Sequence, residues 1–238
     1  MKNSIVLLLF IVTSVGCSDD NSSSGTSSDT PPVLKNLSIA NSQFKSTVRG
    51  GVFDLTLSVG DTQKPFLEFG GRLINNESGP GRLNIPFYHL TYQLTTGVEI
   101  VAAFDGVIDR VSSQSDSGDC EVNYKASSGS SYMAVVDHIS CTQTNGNAFV
   151  IAGQTITAGT VLGKSLSNKV EFDITVENRT SNIRDCPLNH LDSNSRSEIE
   201  ALVTQLMEDV ETEKADTSLY DEANMVHPGC NVESGGDS

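Results

Sequence analysis

The stretch Gly97-Val98-Glu99-Ile100-Val101-Ala102-Ala103-Phe104-Asp105-Gly106-Val107-Ile108 reads as two short strands meeting at Asp105-Gly106. Asp-Gly supplies the left-handed residues that a tight hairpin turn demands, so a hairpin is expected here. Outward from it the same grammar repeats. Tyr132 to Val136 is a further strand and Asn145-Gly146 a further turn. Ile151-Ala152-Gly153-Gln154 and Ala158-Gly159-Thr160-Val161-Leu162-Gly163 alternate apolar runs with glycine, and Val170 to Val176 is a final strand. No helical periodicity of any length interrupts residues 66–176, which predicts a mainly β, antiparallel sheet.

The flanks differ from this core. Upstream, Phe53, Leu55, Leu57 and Val59 alternate with Asp54, Thr56 and Ser58, which predicts a strand with one apolar face. Arg49-Gly50-Gly51 is a turn signal, and Leu37 to Ile39 is the expected partner strand across it. Downstream, Ser195-Arg196-Ser197-Glu198 has capping-box spacing. Ile199, Leu202, Val203, Leu206 and Val210 then recur at helical intervals, predicting one amphipathic helix from about Arg196 to Glu213. Its apolar stripe is expected to pack on the sheet.

The amino end is expected to be a processing signal. Lys2 precedes the apolar run Ile5 to Val12, which is too short to span a bilayer as a helix. Small residues follow, and Gly16-Cys17 is similar to the cleavage site of bacterial lipoproteins, in which the cysteine becomes the lipidated first residue. Ser18 after it resembles outer-membrane sorting, giving a lipid-anchored envelope protein as the expected address, on either face of that membrane. Residues 18–33 are polar and would span roughly 20–25 Å as a flexible tether. The expected organisation is therefore a signal peptide (1–16), a lipidated cysteine and tether (17–33), N-terminal strands (34–65), a β-domain (66–180) and a helical tail (181–238).

Four cysteines remain after Cys17: Cys120, Cys141, Cys186 and Cys230. An even number in an exported chain reads as disulfides. Three pairings are possible, and the one joining near neighbours is favoured, since it staples one excursion and one tail. The chain carries a net charge of -15, and loss of Lys2 with the signal peptide takes the mature chain to -16. Residues 185–238 hold 13 Asp or Glu against Arg196 and Lys214. Such acidity excludes nucleic acid as a partner and disfavours polyanionic wall polymers.

Several blocks carry a resemblance. Gly71-Arg72 is followed by His89-Leu90-Thr91-Tyr92-Gln93, then by Gly97 to Ile108, Val135-Val136-Asp137-His138, Ala152 to Ile156, Gly159 to Gly163, and Lys169-Val170-Glu171-Phe172-Asp173-Ile174. In order and spacing these are similar to the lysostaphin-type (LytM-like) zinc endopeptidases of bacterial cell walls. The resemblance covers under half the chain, from about Gly70 to Val176. It implies a LytM-like duplicated hybrid motif, here with a C-terminal helical clasp.

The departures fall on the chemistry. The family pattern is His-x-x-x-Asp and, at the last strand, His-x-His-Phe-Glu. His89 matches the first ligand, whereas Gln93 stands at the Asp ligand, Glu171 at the last His ligand and Lys169 at the His beside it. Cys141 to Phe149 contains no histidine, so the family's Tyr-x-His block is missing. A hydrolytic zinc needs about three protein ligands and an open position. The resemblance therefore implies a vestigial groove lined by His89, Gln93, His138, Lys169 and Glu171, with no catalytic residue and no cofactor, zinc included. His138 is expected to be a hydrogen-bonded interior histidine, and His190 and His227 to pack in the tail.

The expected function is a non-catalytic envelope domain that binds a protein partner or a peptidoglycan peptide, possible regulation of wall hydrolases included. The alternatives are a zinc endopeptidase with replaced ligands and a structural or surface adhesion module. Metal content and wall digestion separate the first two. Silent groove substitutions with a stability-critical Cys186 or Cys230 mark the third.

Overall fold

The computed structural model describes residues 29–39, 66–72, 86–94, 96–114, 118–166, 169–177 and 182–235. The signal peptide, Cys17, most of the tether and the expected strand from Phe53 to Val59 lie outside the described residues. In chain order the described strands are β1 (Phe66–Leu67), β2 (Gly71–Arg72), β3 (Pro86–Phe87), β4 (Leu90–Gln93), β5 (Glu99–Val101), β6 (Gly106–Ser113), β7 (Cys120–Lys125), β8 (Tyr132–Ser140), β9 (Thr155–Ile156), β10 (Val161–Ser165), β11 (Lys169–Glu177), β12 (Asn182–Asp185) and β13 (Ser234–Gly235). One long helix, α1 (Arg196–Lys214), lies between β12 and β13.

β11 organises the sheet. Along one edge it pairs with β4 and then β12; along the other it pairs with β8. From β8 the sheet runs through β7 and β6 to β9. The far end of β8 passes beyond β11 and pairs with β10, whose other neighbour is β5. Every ladder between these strands is antiparallel, as the short loops and lack of helical crossovers imply. Among the described residues the fold is mainly β with a single long helix, as the sequence predicts.

Period-two alternation decides which face is core. Val170, Phe172 and Ile174 of β11 are buried with Leu90 and Tyr92 of β4, Ala134 and Val136 of β8, and Val122 and Tyr124 of β7. Full burial of each large apolar side chain is worth about 1.5–3 kcal/mol. Burial also holds the phenols of Tyr92, Tyr124 and Tyr220 well above the ordinary tyrosine range. For Tyr220 the neighbouring Glu68 and Glu211 carboxylates push the same way. A raised folded pKa gives stability that is complete below about pH 10 and falls as pH rises further, by about 1.4 kcal/mol per unit for each phenol. Absorbance of ionised tyrosine is therefore expected to appear for these three only as circular dichroism reports unfolding. Ionisation near pH 10 in an intact fold would contradict this burial.

The hairpin expected at Asp105-Gly106 does not form. β5 pairs with β10, about sixty residues further along the chain, and β6 pairs with β7 and β9. Between them the chain crosses over, with Ala102, Ala103 and Phe104 buried and the Ala103 N–H donating to the Tyr124 hydroxyl at 2.8 Å. Gly106 serves close approach instead of a turn, since a Cβ there would collide with the carbonyl oxygen of Lys125.

Leu37 to Ile39 is likewise not a strand. Leu34 and Ile39 make single bridges to Leu191 and Ile100, and Ser38 between them adopts a left-handed φ of 62°. Leu34, Leu37 and Ile39 are nevertheless buried, so this segment belongs to the main core.

The helix spans almost the predicted range, but its start is not a capping box. Ser195 makes no side-chain cap bond. Asp192 sets the turn: its carboxylate accepts the Asn194 N–H at 2.8 Å and its carbonyl accepts the Arg196 N–H at 2.9 Å. Ala215, at a left-handed φ of 52°, ends the helix and returns its N–H to Glu211 and Thr212. Ile199, Val203, Leu206, Met207 and Val210 are buried. Gly229 lets the tail pass close to the helix: at its φ of 83° a Cβ would sit 2.9 Å from Val203.

Cys120 is joined to Cys141 and Cys186 to Cys230, at Cα separations of 6.1 and 6.3 Å, which is the near-neighbour pairing. The second pair places Cys230 beside the end of β1, where Phe69 donates to Gly229 and accepts from Asn231, both at 2.9 Å.

Candidate functional site

The face of β11 opposite the core carries Glu171, Asp173 and Thr175. Registration brings Thr91 and Asp137 alongside Glu171, and Arg184 alongside Thr175. This face is polar yet largely covered: the side chains of Asp173 and Glu171 are 0% and 6% exposed. Buried carboxylates must be paired or hydrogen-bonded, and here two linked clusters do this.

The first cluster is His89, Asp173, Arg184 and Thr175. Asp173 accepts from Arg184 Nη1 at 2.9 Å and from the Thr175 hydroxyl at 2.7 Å, and His89 Nδ1 lies 2.9 Å from it. The same Arg184 nitrogen lies 2.8 Å from Nδ1 and 2.5 Å from Nε2 of His89. Arginine has no acceptor and stays charged. The consistent assignment is Nδ1–H donating to Asp173, with the Arg184 nitrogen set against the imidazole ring beside both of its nitrogens.

The second cluster is built on a β-bulge. Between the pairs Val122 with Val136 and Cys120 with Ile139, β7 advances two residues and β8 three. The extra residue falls at Asp137-His138, and His138 takes a left-handed φ of 61°. Successive strand residues normally face opposite ways; the bulge turns the His138 ring toward the same side as Asp137. His138 Nδ1 is 2.8 Å from Asp119, whose side chain is 1% exposed. Its Nε2 is 3.9 Å from Asp137 Oδ2 and 3.9 Å from Glu171 Oε2. The other Asp137 oxygen accepts from Gln114 and from the His138 N–H, each at 2.6 Å. Glu171 Oε2 also lies 3.9 Å from His89 Nε2, linking the clusters.

Of the residues singled out in the sequence, His89, His138 and Glu171 are thus brought together. Gln93 is partly buried and stands opposite Lys169 across the β4–β11 pair. The Lys169 side chain lies outside the described residues. In the tail, His190 Nε2 is 3.5 Å from Asp185 and His227 Nδ1 is 3.5 Å from Glu200. Asp119, Asp137, Asp173 and Arg184 are site residues that the sequence reading passed over. One signal existed for Asp173: it continues the polar alternation of Lys169 and Glu171 between buried Val170, Phe172 and Ile174.

A zinc held by His89, Gln93 and Glu171 does not fit this arrangement. Arg184 sets a fixed positive charge within 2.8 Å of both His89 ring nitrogens, which repels a dication there. Gln93 adds no charge to balance a dication.

Solved structures similar to this chain include a point mutant of the catalytic domain of the prophage-encoded M23 protein EnpA from Enterococcus faecalis, at 21% identity over 55% of this chain and 92% of that one, with a TM-score of 0.34. Another similar structure is that of a putative M23 peptidase from Pseudomonas aeruginosa. The catalytic domain of the antimicrobial peptidase lysostaphin from Staphylococcus simulans is similar at 15% identity over 48% of this chain and 80% of that one, with a TM-score of 0.34. Helicobacter pylori Csd3 is similar at 14% identity over 69% and 44%, with a TM-score of 0.40. No family model matches the chain, and no curated protein does. Likeness to M23 domains at this level carries no argument about chemistry, which rests on the side chains above.

Proposed function

We propose that this chain is a non-catalytic LytM-like domain of a lipid-anchored envelope protein, which binds a protein partner or a peptidoglycan peptide and regulates cell-wall hydrolases. The observation that carries this reading is the Arg184 guanidinium lodged against both nitrogens of His89 and against Asp173. It sets a fixed cation against the histidine that the resemblance would make a zinc ligand. Gln93 and Glu171 at the remaining ligand positions support the same reading, as does Lys169 in place of the neighbouring histidine. The polar strip of His89, Asp173, Arg184 and Glu171 offers donors and acceptors suited to a peptide's amide and carboxylate groups.

The test is wall digestion by the full chain with zinc supplied. No cleaved cross-link is expected, while wall peptides or a wall amidase are retained on the immobilised protein. Cross-link cleavage that His89→Ala abolishes would overturn the reading in favour of an endopeptidase with replaced ligands.

A further inference from the structure

Four carboxylates converge on the polar face of the sheet: Asp119, Asp137, Glu171 and Asp173. Arg184 lies against Asp173 at one end. At the other end Asp137, His138 and Glu171 each offer one donor atom, and the three atoms lie within 4.8 Å of one another. We propose that these three side chains bind a divalent transition-metal ion, at a site displaced from His89 and Gln93 onto the β8 bulge. The proposal goes beyond peptide binding and stands or falls separately from it.

Two features support it. The His138 Nε2 to carboxylate separations of 3.9 Å are too long for hydrogen bonds. An ion with bonds of about 2.1 Å holds tetrahedral donors about 3.4 Å apart, so the three side chains bind it by drawing together from their present separations through carboxylate rotation. Second, the tautomer suits a metal. Asp119 is buried and takes the Nδ1 proton, leaving the Nε2 lone pair directed at Asp137 and Glu171. A carboxylate behind a histidine is the support that metal-bound imidazoles use.

One imidazole nitrogen with two carboxylate oxygens suits Zn²⁺, Co²⁺ or Mn²⁺, while Ca²⁺ and Mg²⁺ favour all-oxygen sites. Two carboxylates balance the charge of a dication. The left-handed backbone at His138 has a purpose in this arrangement: it carries two consecutive side chains to one ion.

The test uses the full chain, freed of metal by chelator and titrated with Co²⁺ and then Zn²⁺. One equivalent is expected to bind, with visible absorption from Co²⁺ and a changed His138 ring ¹⁵N shift. Asp119→Asn is expected to weaken binding about 10- to 100-fold by loosening the imidazole. His138→Gln and Asp137→Asn are expected to abolish the absorption, with circular dichroism reporting that each variant is folded. His89→Ala and Gln93→Ala are expected to retain it. Absence of binding at millimolar Co²⁺ overturns this proposal and leaves the peptide-binding reading intact. Binding that His89→Ala removes and His138→Gln spares overturns both.

Discussion

Arg184→Met is expected to destabilise the fold by about 3 kcal/mol, read as a lowered urea midpoint. Methionine keeps most of the apolar stem and removes the charge, so packing loss contributes little. Asp173 is completely buried, and Arg184 is its guanidinium partner at 2.9 Å. Breaking a buried pair from one side typically costs about 3–5 kcal/mol, because the surviving charge is left in a poor solvent. The lower end applies, since His89 and Thr175 still contact Asp173 and Arg184 is 23% exposed. Asp173→Asn placed on top of Arg184→Met is expected to recover most of the loss, because the stranded charge is then gone. A change below about 1 kcal/mol for Arg184→Met would mean that the pair is a surface contact of ordinary worth. The lodged cation on His89 would then lose its standing too.

Replacing Cys186 and Cys230 by serine is expected to lower stability by roughly 4 kcal/mol. The bond closes a loop of 44 residues that contains all of α1, and the chain-entropy cost of releasing such a loop has this size. Cys120 and Cys141 enclose only 21 residues, so their loss is expected to cost less, by about half a kcal/mol. Reductive unfolding followed by mass spectrometry would order the two. A larger effect from the shorter loop would show that β7 and β8 depend on their bond in a way chain entropy does not describe.

Local pattern made much of this fold legible. The alternation of Val170, Phe172 and Ile174 defines the central strand, and the spacing of Ile199, Val203, Leu206 and Val210 defines the helix. Pairing was not legible. Asp105-Gly106 carries the chemistry of a hairpin, yet the partner of β5 lies about sixty residues downstream, and nothing in a local window reports a long-range choice. The helix start was misread because Ser195 has the right spacing while Asp192, three residues earlier, holds the backbone. At the site, His89, His138 and Glu171 stood out by comparison with a known pattern. Asp119 and Arg184 did not, since a buried carboxylate and its cation are isolated charges until the sheet registers them. The bulge that turns His138 exists only as a mismatch between two strands.

Leu34 has a further consequence. Its N–H donates to His190 at 2.7 Å and its carbonyl accepts from Asp192 at 2.8 Å, while Lys35 donates to Ala103 at 2.8 Å. Leu34 runs parallel to Leu191 at that point. A mechanical pull from the amino-terminal side first meets the exposed contacts of Asp29 with Ser130 and Ser131 and then reaches Leu34, where these bonds share the load. The force would pass straight to the residues just before α1, which the Cys186–Cys230 bond ties back to β1. Under load, the entry point and the tail act as a single knot.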